Sequence, residues 1–321
     1  MGVPILPGNA GTSHRSTHRF TVEVMSATPD HRAQVKEFLT SRRARITPDQ
    51  AGLPAYGGKA RRVEGLRREE VALLAGVSID YYVRMERGNL AGASDAVLDG
   101  VANALQLDEA ERSHLFDLAR AAQASPPRTR NRSTEVTRGI RQVLDAISDA
   151  PAWVRNARHD MLAANQLARA LYLPLLQGTP HRLPNNARFV YLDEASKDFF
   201  TDWNLAADDI AAMLRIEAGR NPHDKNLIAL IGELSTQSEE FRQRWAAHNV
   251  RFHRTGRKIL RHPVVGVLEL DYEAMEFPAH PDLTLLVYTA AAGTSASDGL
   301  KVLASWAATA TESGELRTLP S

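Results

Sequence analysis

GLRREEVALLAGVSIDYYVRMERG, residues Gly65 to Gly88, decides how the rest of the chain is read. The stretch predicts two short helices joined by a tight turn. The first runs over about Arg68 to Leu74, with Glu69 and Glu70 in its first turn, where negative charge suits the helix dipole. Val71, Ala72 and Ala75 form a narrow apolar stripe, and Ala72 is small enough to admit a second helix close by. Gly76 supplies the permissive turn position and Val77 plugs the corner. Ser78 is placed as an N-cap for the second helix, whose Tyr82 and Met85 point inward at the i, i+3 spacing. That leaves Ile79, Asp80, Tyr81 and Arg84 outward near its N-terminus, the face that enters a major groove in a helix-turn-helix. An ordinary helical hairpin has no need of all four features together: small residue, turn glycine, cap and inward pair.

Charge around this stretch is uneven although the whole chain is nearly neutral, at +1. From Arg32 to Arg68 there are ten Lys and Arg against three acids; from Glu69 to Gln123 there are four Arg against ten acids. A basic approach to the motif with an acidic rear suits a protein that turns one side toward phosphate. Upstream, His31 to Ile46 predicts a helix with Val35, Phe38 and Leu39 on its apolar face and Arg42, Arg43 and Arg45 at its C-terminal end. A Pro-, Gly- and base-rich insertion, about Thr47 to Gly65, follows; its Lys59, Arg61 and Arg62 are either backbone or minor-groove contacts or a solvated loop. Arg67 and Arg68 stand at the start of the first motif helix, which crosses the DNA backbone in this arrangement, and are candidate phosphate contacts. Downstream, Ser94 caps a fourth helix with Val97, Leu98, Val101 and Leu105 inward, and Asp108 caps a fifth with Leu115, Phe116 and Leu118 as core.

The 321 residues are comfortable for two domains, and 43% hydrophobic with 24% charged residues is ordinary globular composition. There is no cysteine, which excludes disulfides, thiol nucleophiles and thiolate metal sites. No apolar run reaches the ~20 residues of a membrane span, and the N-terminus is not a convincing signal peptide, so a cytoplasmic protein with no membrane contact is expected. The expected layout is a disordered tail over 1–29, a DNA-binding domain over 30–124, a polar linker over 125–135, a second domain over 136–310 and a tail over 311–321. Met25 lies just before the first helix, and one reading starts translation there.

The second domain has a different grammar. Val136 to Ser148 is an amphipathic helix, and Ala152–Ala157 and Met161–Asn165 are short strand-like runs around an ARHD turn. Helices follow over Asn165–Leu171, Glu194–Ala218 with a break near Trp203, Asp224–Ser235 and Glu239–His248. A meander of Arg257–Arg261, Val264–Phe277 and Leu283–Ala290 precedes a last helix, Ala296–Ala308. This order predicts a PAS-like α+β domain, an antiparallel sheet with helices on one face, behind a mainly α helix-turn-helix domain of five helices.

RREEVALLAGVS followed by YYVRMERG resembles the xenobiotic-response-element type of helix-turn-helix, and in particular the MmyB-like regulators. PAWVRN, AANQLARALY, NNARFVYLDE, DWNLAADDIAAMLR, GELSTQSEEFRQRW and HPVVGVLELDYEAM resemble the ligand-binding domain of the same family. The resemblance covers about Arg32 to Ser305. It implies a transcription regulator whose second domain senses a small molecule, with fatty-acid-like ligands one candidate class. It also implies a buried pair between Arg43 and Glu86. The loop NLAGAS departs from the family, which usually has Arg or Asp and Pro there; Asn89 is left as its one candidate for a phosphate.

The resulting candidates for double-stranded DNA are Arg67, Arg68 and Asn89 on the backbone and Ser78, Asp80, Tyr81 and Arg84 on bases or adjacent phosphates, with Ile79 against a thymine methyl. A homodimer is expected because one such module buries little DNA surface. For the ligand, the candidates are Trp153, Tyr172, Trp203, Met213, Leu214 and Leu268, with Arg215 as partner for a carboxylate; core packing or a structural ion pair is the competing reading for each. No cofactor, metal site or catalytic constellation is expected, since none of the eleven histidines forms a short ligand pattern. The alternative is a helix-turn-helix protein whose second domain binds another protein, as an antitoxin does, or catalyses a reaction.

Overall fold

The computed structural model describes residues 31–53, 63, 65–123, 135–178, 183–250 and 254–312. The expected N-terminal tail, the insertion's Lys59, Arg61 and Arg62 and nearly all of the linker lie outside the described residues. Five helices form the N-terminal part: α1 (His31–Arg45), α2 (Arg68–Ala75), α3 (Ile79–Glu86), α4 (Asp95–Ala104) and α5 (Glu109–Gln123). Their starts are set locally. Ser94 Oγ accepts from the Val97 amide at 3.4 Å, and Asp108 Oδ1 accepts from the Glu111 amide at 2.8 Å while Glu111 Oε2 takes the Asp108 amide. Val35, Phe38, Leu39, Val71, Tyr82, Met85, Leu98, Val101, Leu115 and Leu118 share one buried cluster, with Val97 and Phe116 at its edge.

The C-terminal part continues with α6 (Arg138–Ala146), β1 (Ala152–Asn156), β2 (Met161–Ala164), α7 (Gln166–Leu171), α8 (Leu173–Gln177), α9 (Asn186–Leu192), α10 (Ala195–Phe199) and α11 (Trp203–Arg220). Then come α12 (Lys225–Gln237), α13 (Glu239–Ala246), β3 (Thr255–His262), β4 (Gly266–Phe277), β5 (His280–Thr289) and α14 (Ser295–Glu312). The strands form one antiparallel sheet in the order β2-β1-β5-β4-β3, so that Trp153 of the first strand lies opposite Leu286 of the last. The fold is therefore a helical helix-turn-helix region followed by an α+β region.

Helices cover both faces of the sheet, not one. Trp153, Leu260, Leu268, Leu270, Leu286 and Tyr288 point into the main core with α7, α11 and α14, whereas Val154, Leu283 and Leu285 pack on Ile140 and Leu144 of α6. The reason is visible in β1 and β2, which are buried at every position: a strand apolar at successive residues needs cover on both sides. Two further differences are local. Helices α8 and α9 are too short to show periodicity, although Asn185 caps α9 by accepting from the Arg188 amide at 2.9 Å. Strand β4 starts at Gly266, not Val264, because Gly266 turns the hairpin at φ 75° and Val264 donates its amide to His262 Nδ1. His262 Nε2 in turn donates to Ala170 O at 2.9 Å, tying the hairpin corner to α7.

The two parts are joined by a seam. Helix α11 packs on α5, and Ile216 and Val250 from the C-terminal part belong to the N-terminal hydrophobic cluster. Polar contacts flank them: Arg220 Nε meets Asp117 Oδ2 at 2.9 Å, and Arg42 Nη2 donates to His248 O.

Candidate functional site

The candidate recognition surface is assembled by α2, its turn and α3. Gly76 closes α2 in the left-handed region at φ 68°, and Ser78 Oγ accepts from the Tyr81 amide at 3.2 Å to start α3. Tyr82 and Met85 are fully buried, and burial together with the nearby Glu86 carboxylate pushes the Tyr82 hydroxyl well above the usual phenol range. With those two anchored, helical geometry turns Ser78, Ile79, Asp80 and Arg84 outward, and all four are exposed; Tyr81 is half-buried. Arg84 lies over the Tyr81 ring at 4.7 Å, which pre-orders its long side chain on the outer face. An open depression of about 400 Å³ beside it is lined by Arg32, Asp80, Val83, Arg84, Arg87 and Asn89.

Arg32 and Arg87 were not legible as members of this surface. Arg87 follows Glu86 at the end of α3, and Arg32 comes from the first turn of α1, more than fifty residues earlier. The two meet because Gly88 packs against the α1 backbone: a Cβ there would sit 2.4 Å from Arg32 O. The glycine at position 88 is the sequence signal of that approach, and the structure gives it a φ of 95°.

Of the backbone candidates, Arg67 precedes α2 with its side chain 40% exposed, near Glu69 at 3.3 Å. Asn89 is half-buried, its Oδ1 accepting from the Ala91 amide at 3.3 Å. Arg68 has, in addition, a partner that the sequence did not announce. Its Nε binds Glu86 Oε2, so it belongs to a charge cluster around that buried carboxylate as well as to the surface. In that cluster Arg43 Nε and Nη2 reach Glu86 Oε1 at 2.9 and 2.8 Å, and Thr40 Oγ1 donates to the same oxygen at 3.2 Å. Burial raises the Glu86 carboxyl, but the hydrogen bonds from Arg68 and Arg43 outweigh it and hold the group below the usual carboxylate range.

In the C-terminal part, Trp153, Tyr172, Met213, Leu214 and Leu268 fall in one buried cluster. Trp153 and Tyr172 are neighbours at 5.4 Å between ring centres, and Tyr172 and Tyr288 hydroxyls meet at 2.6 Å. Leu268 faces α14, where a Cβ on Gly299 would lie 2.6 Å from its Cδ2. Trp203 sits at the cluster's rim, where its Nε1 donates to Val190 O at 2.9 Å. Arg215 is not placed with the others. It is buried at the seam, stacked 3.8 Å over Trp245, donating to Trp245 O. The helical spacing explains this: Met213 and Arg215 are two residues apart on α11 and face different sides.

The cation that does face the inner side of the sheet is Arg155, two residues beyond Trp153 on β1. Its Nη1 donates to Asn156 O at 3.3 Å and its Nη2 approaches Met213 Sδ at 3.9 Å. No carboxylate of a described residue lies within ion-pair distance of it. Burial lowers its basicity, with Glu217 and Glu276 opposing that effect from farther away. Lys258 on β3 shares this situation: burial lowers it, Asp209 partly restores it, and its ammonium lies near the Phe200 and Tyr272 rings at 5.7 and 5.5 Å. A charged residue one alternation beyond a buried Trp in an apolar strand is the sequence signal for Arg155, and an expectation built on apolar lining with Arg215 as the cation does not include it.

A helix-turn-helix with an exposed recognition face, docked to an α+β domain carrying a desolvated arginine on its inner sheet face, defines a DNA-binding protein with a second, ligand-binding domain. The comparisons with known proteins agree. The MmyB-like transcription regulator ligand binding domain matches residues 136–303 and a helix-turn-helix domain matches residues 37–115. The first match spans more than half of the chain, which therefore belongs to the MmyB-like transcription regulators. No curated protein matches the chain. No helix among the described residues is long and apolar enough to cross a membrane.

Proposed function

We propose that this transcription regulator acts in the cytoplasm as a homodimer, reads its operator with α3 and changes its affinity when an apolar, fatty-acid-like effector occupies the C-terminal domain. It works by binding, not catalysis. Ser78, Asp80, Tyr81 and Arg84 contact bases or adjacent phosphates, and Ile79 meets a thymine methyl. Arg67, Asn89 and the half-exposed Arg68 contact the backbone, joined by Arg32 and Arg87 from the same depression. The observation that carries this half is the outward face of α3 bounded by three arginines.

The effector half rests on Arg155. A buried cation without an adjacent carboxylate is costly, and a carboxylate-bearing ligand whose chain lies against Trp153, Tyr172, Met213 and Leu214 would relieve it. Arg155 replaces Arg215 in that role. Two measurements test the proposal. Titration of a fluorescent fragment of the gene's upstream region over a salt series should show tight binding by the wild type. Arg84→Ala should lose sequence preference while keeping salt-dependent background; equal binding of both proteins to any DNA would reject the assignment of α3. Denaturing mass spectrometry of the purified protein, with a dodecanoate titration, tests the effector; a co-purifying protein in its place would favour a protein-binding module.

A further inference from the structure

Helix α11 has two working sides. Met213 and Glu217 are one turn apart and lie toward Arg155, whereas Ile216, Gly219 and Arg220 lie toward α5. The approach to α5 is close enough to require glycine: a Cβ at Gly219 would stand 2.6 Å from His114 Cε1 and 3.5 Å from Leu118 Cδ2. Charges connect the two sides. Arg220 holds Asp117 of α5 at 2.9 Å and approaches Glu217 at 3.6 Å. Glu217, one turn along from the Met213 that Arg155 meets, is on the same side of α11: burial raises its carboxyl, and Arg220 and, from farther away, Arg155 oppose that. The seam lies on α1 and α5, while the DNA-facing residues come from α2, α3 and the first turn of α1. Docking therefore leaves the recognition face open and fixes how the domain that bears it is held.

We propose that the α11–α5 seam is the regulated contact of this protein, and that an anion arriving at Arg155 loosens it through Glu217, Arg220 and Asp117. The proposal rests on the effector reading above. An anion on Arg155 takes over the field that now steadies Glu217 and repels its carboxylate. Glu217 then turns more fully onto Arg220, which releases Asp117. Because Ile216 and Val250 complete the core of the N-terminal cluster, a loosened seam also frees the DNA-binding domain to reorient. In a dimer, that reorientation changes the spacing presented to two half-sites. The seam is thus a two-state element that a ligand and an operator can both bias.

The test needs no ligand. Full-length wild type, Gly219→Ala, Asp117→Asn and Arg155→Met are compared by scanning calorimetry and by titration of the fluorescent upstream fragment. The wild type should unfold in one cooperative transition and Gly219→Ala, wedged against His114, in two. All three variants should shift operator Kd in the same direction, by about fivefold or more for Gly219→Ala. Should Gly219→Ala lose its native circular dichroism, Asp117→Asn carries the comparison, since it keeps the side-chain shape and removes only the charge. Two transitions in the wild type, or an unchanged Kd in Asp117→Asn, overturns the seam as the regulated contact. A shift of opposite sign in Arg155→Met overturns the charge path. If these results hold but dodecanoate does not bind, the effector reading fails and the seam stands.

Discussion

Two arginines, one half-buried and one buried, are treated in opposite ways by this molecule. Arg43 in the DNA-binding region meets Glu86 at 2.8 Å, and Arg68 and Thr40 saturate the same carboxylate. Arg155 in the ligand-binding region, 9% exposed, has one backbone carbonyl and a thioether. The first arrangement is finished within the chain and fixes α1 against α2 and α3, which sets the recognition surface. The second is left incomplete, at the position proposed above for the effector's carboxylate. A buried charge that is fully paired reads as scaffold, and one that lacks its counter-ion reads as a place kept for a partner.

The largest effect should come from breaking the finished arrangement. Glu86→Ala removes the buried carboxylate that Arg43, Arg68 and Thr40 share, leaves the half-buried Arg43 without its counter-ion and should cost about 3 kcal/mol, read as a lowered chemical-denaturation midpoint together with loss of operator binding. An unchanged midpoint would mean that the pair contributes nothing to the scaffold. Next in size is a pH effect at the seam between the two regions. Burial, then the neighbouring Arg215 and Arg42, push His114 down to about 3, and burial followed by the same arginines does so for His248. Both folded-state values lie below the unfolded one, so acid protonates the unfolded chain first. Stability should therefore be constant above about pH 6.5 and fall below it, continuing toward pH 3, with His114 alone accounting for about 2 kcal/mol at pH 5. His114→Phe should flatten that part of the pH–stability curve; an identical slope in the variant would remove His114 from the explanation.

Arg84→Ala should cost about 1–3 kcal/mol of discrimination between operator and mismatched DNA while leaving thermal stability unchanged, because the side chain is exposed. Competition binding with unrelated DNA measures it, and equal loss on both DNAs would make Arg84 a phosphate contact only. The smallest stability effect is expected at the unfinished site. Arg155→Met swaps a poorly paired buried cation for an apolar chain of similar length and should change stability by less than about 1 kcal/mol, in contrast to Glu86→Ala. Dodecanoate binding by calorimetric titration should be lost in the same variant. A large destabilisation with dodecanoate binding retained would make Arg155 a structural residue and erase the contrast.

Much of the N-terminal region was legible because its signals are local. The turn glycine Gly76, the caps Ser78, Ser94 and Asp108, and the inward pair Tyr82 and Met85 each act within a few residues, so a single stretch carries helix ends, packing face and outward face together. Even there, Arg32 and Arg87 joined the surface through a packing contact between α1 and Gly88 that no spacing announces. The ligand-binding region was legible as an order of strands and helices, but not as a site. Met213 and Arg215 looked like candidates of comparable standing in sequence terms, and Arg155 read as an ordinary strand residue.

By itself, the amino-acid sequence determined the helix-turn-helix, the α+β order of the second domain and, of the outward set Ile79, Asp80, Tyr81 and Arg84, all but the half-buried Tyr81, because caps, glycine turns and periodic apolar positions act over one or two helical turns. Only the tertiary structure decided that α6 covers the second face of the sheet, that Arg68 shares Glu86 with Arg43, and that Arg215 belongs to the seam while Arg155 faces the inner sheet. The reason is physical. A residue's secondary structure is fixed by neighbours in the chain, whereas the cost of burying its charge depends on which carboxylates the fold brings within a few ångströms, and those come from anywhere along the chain.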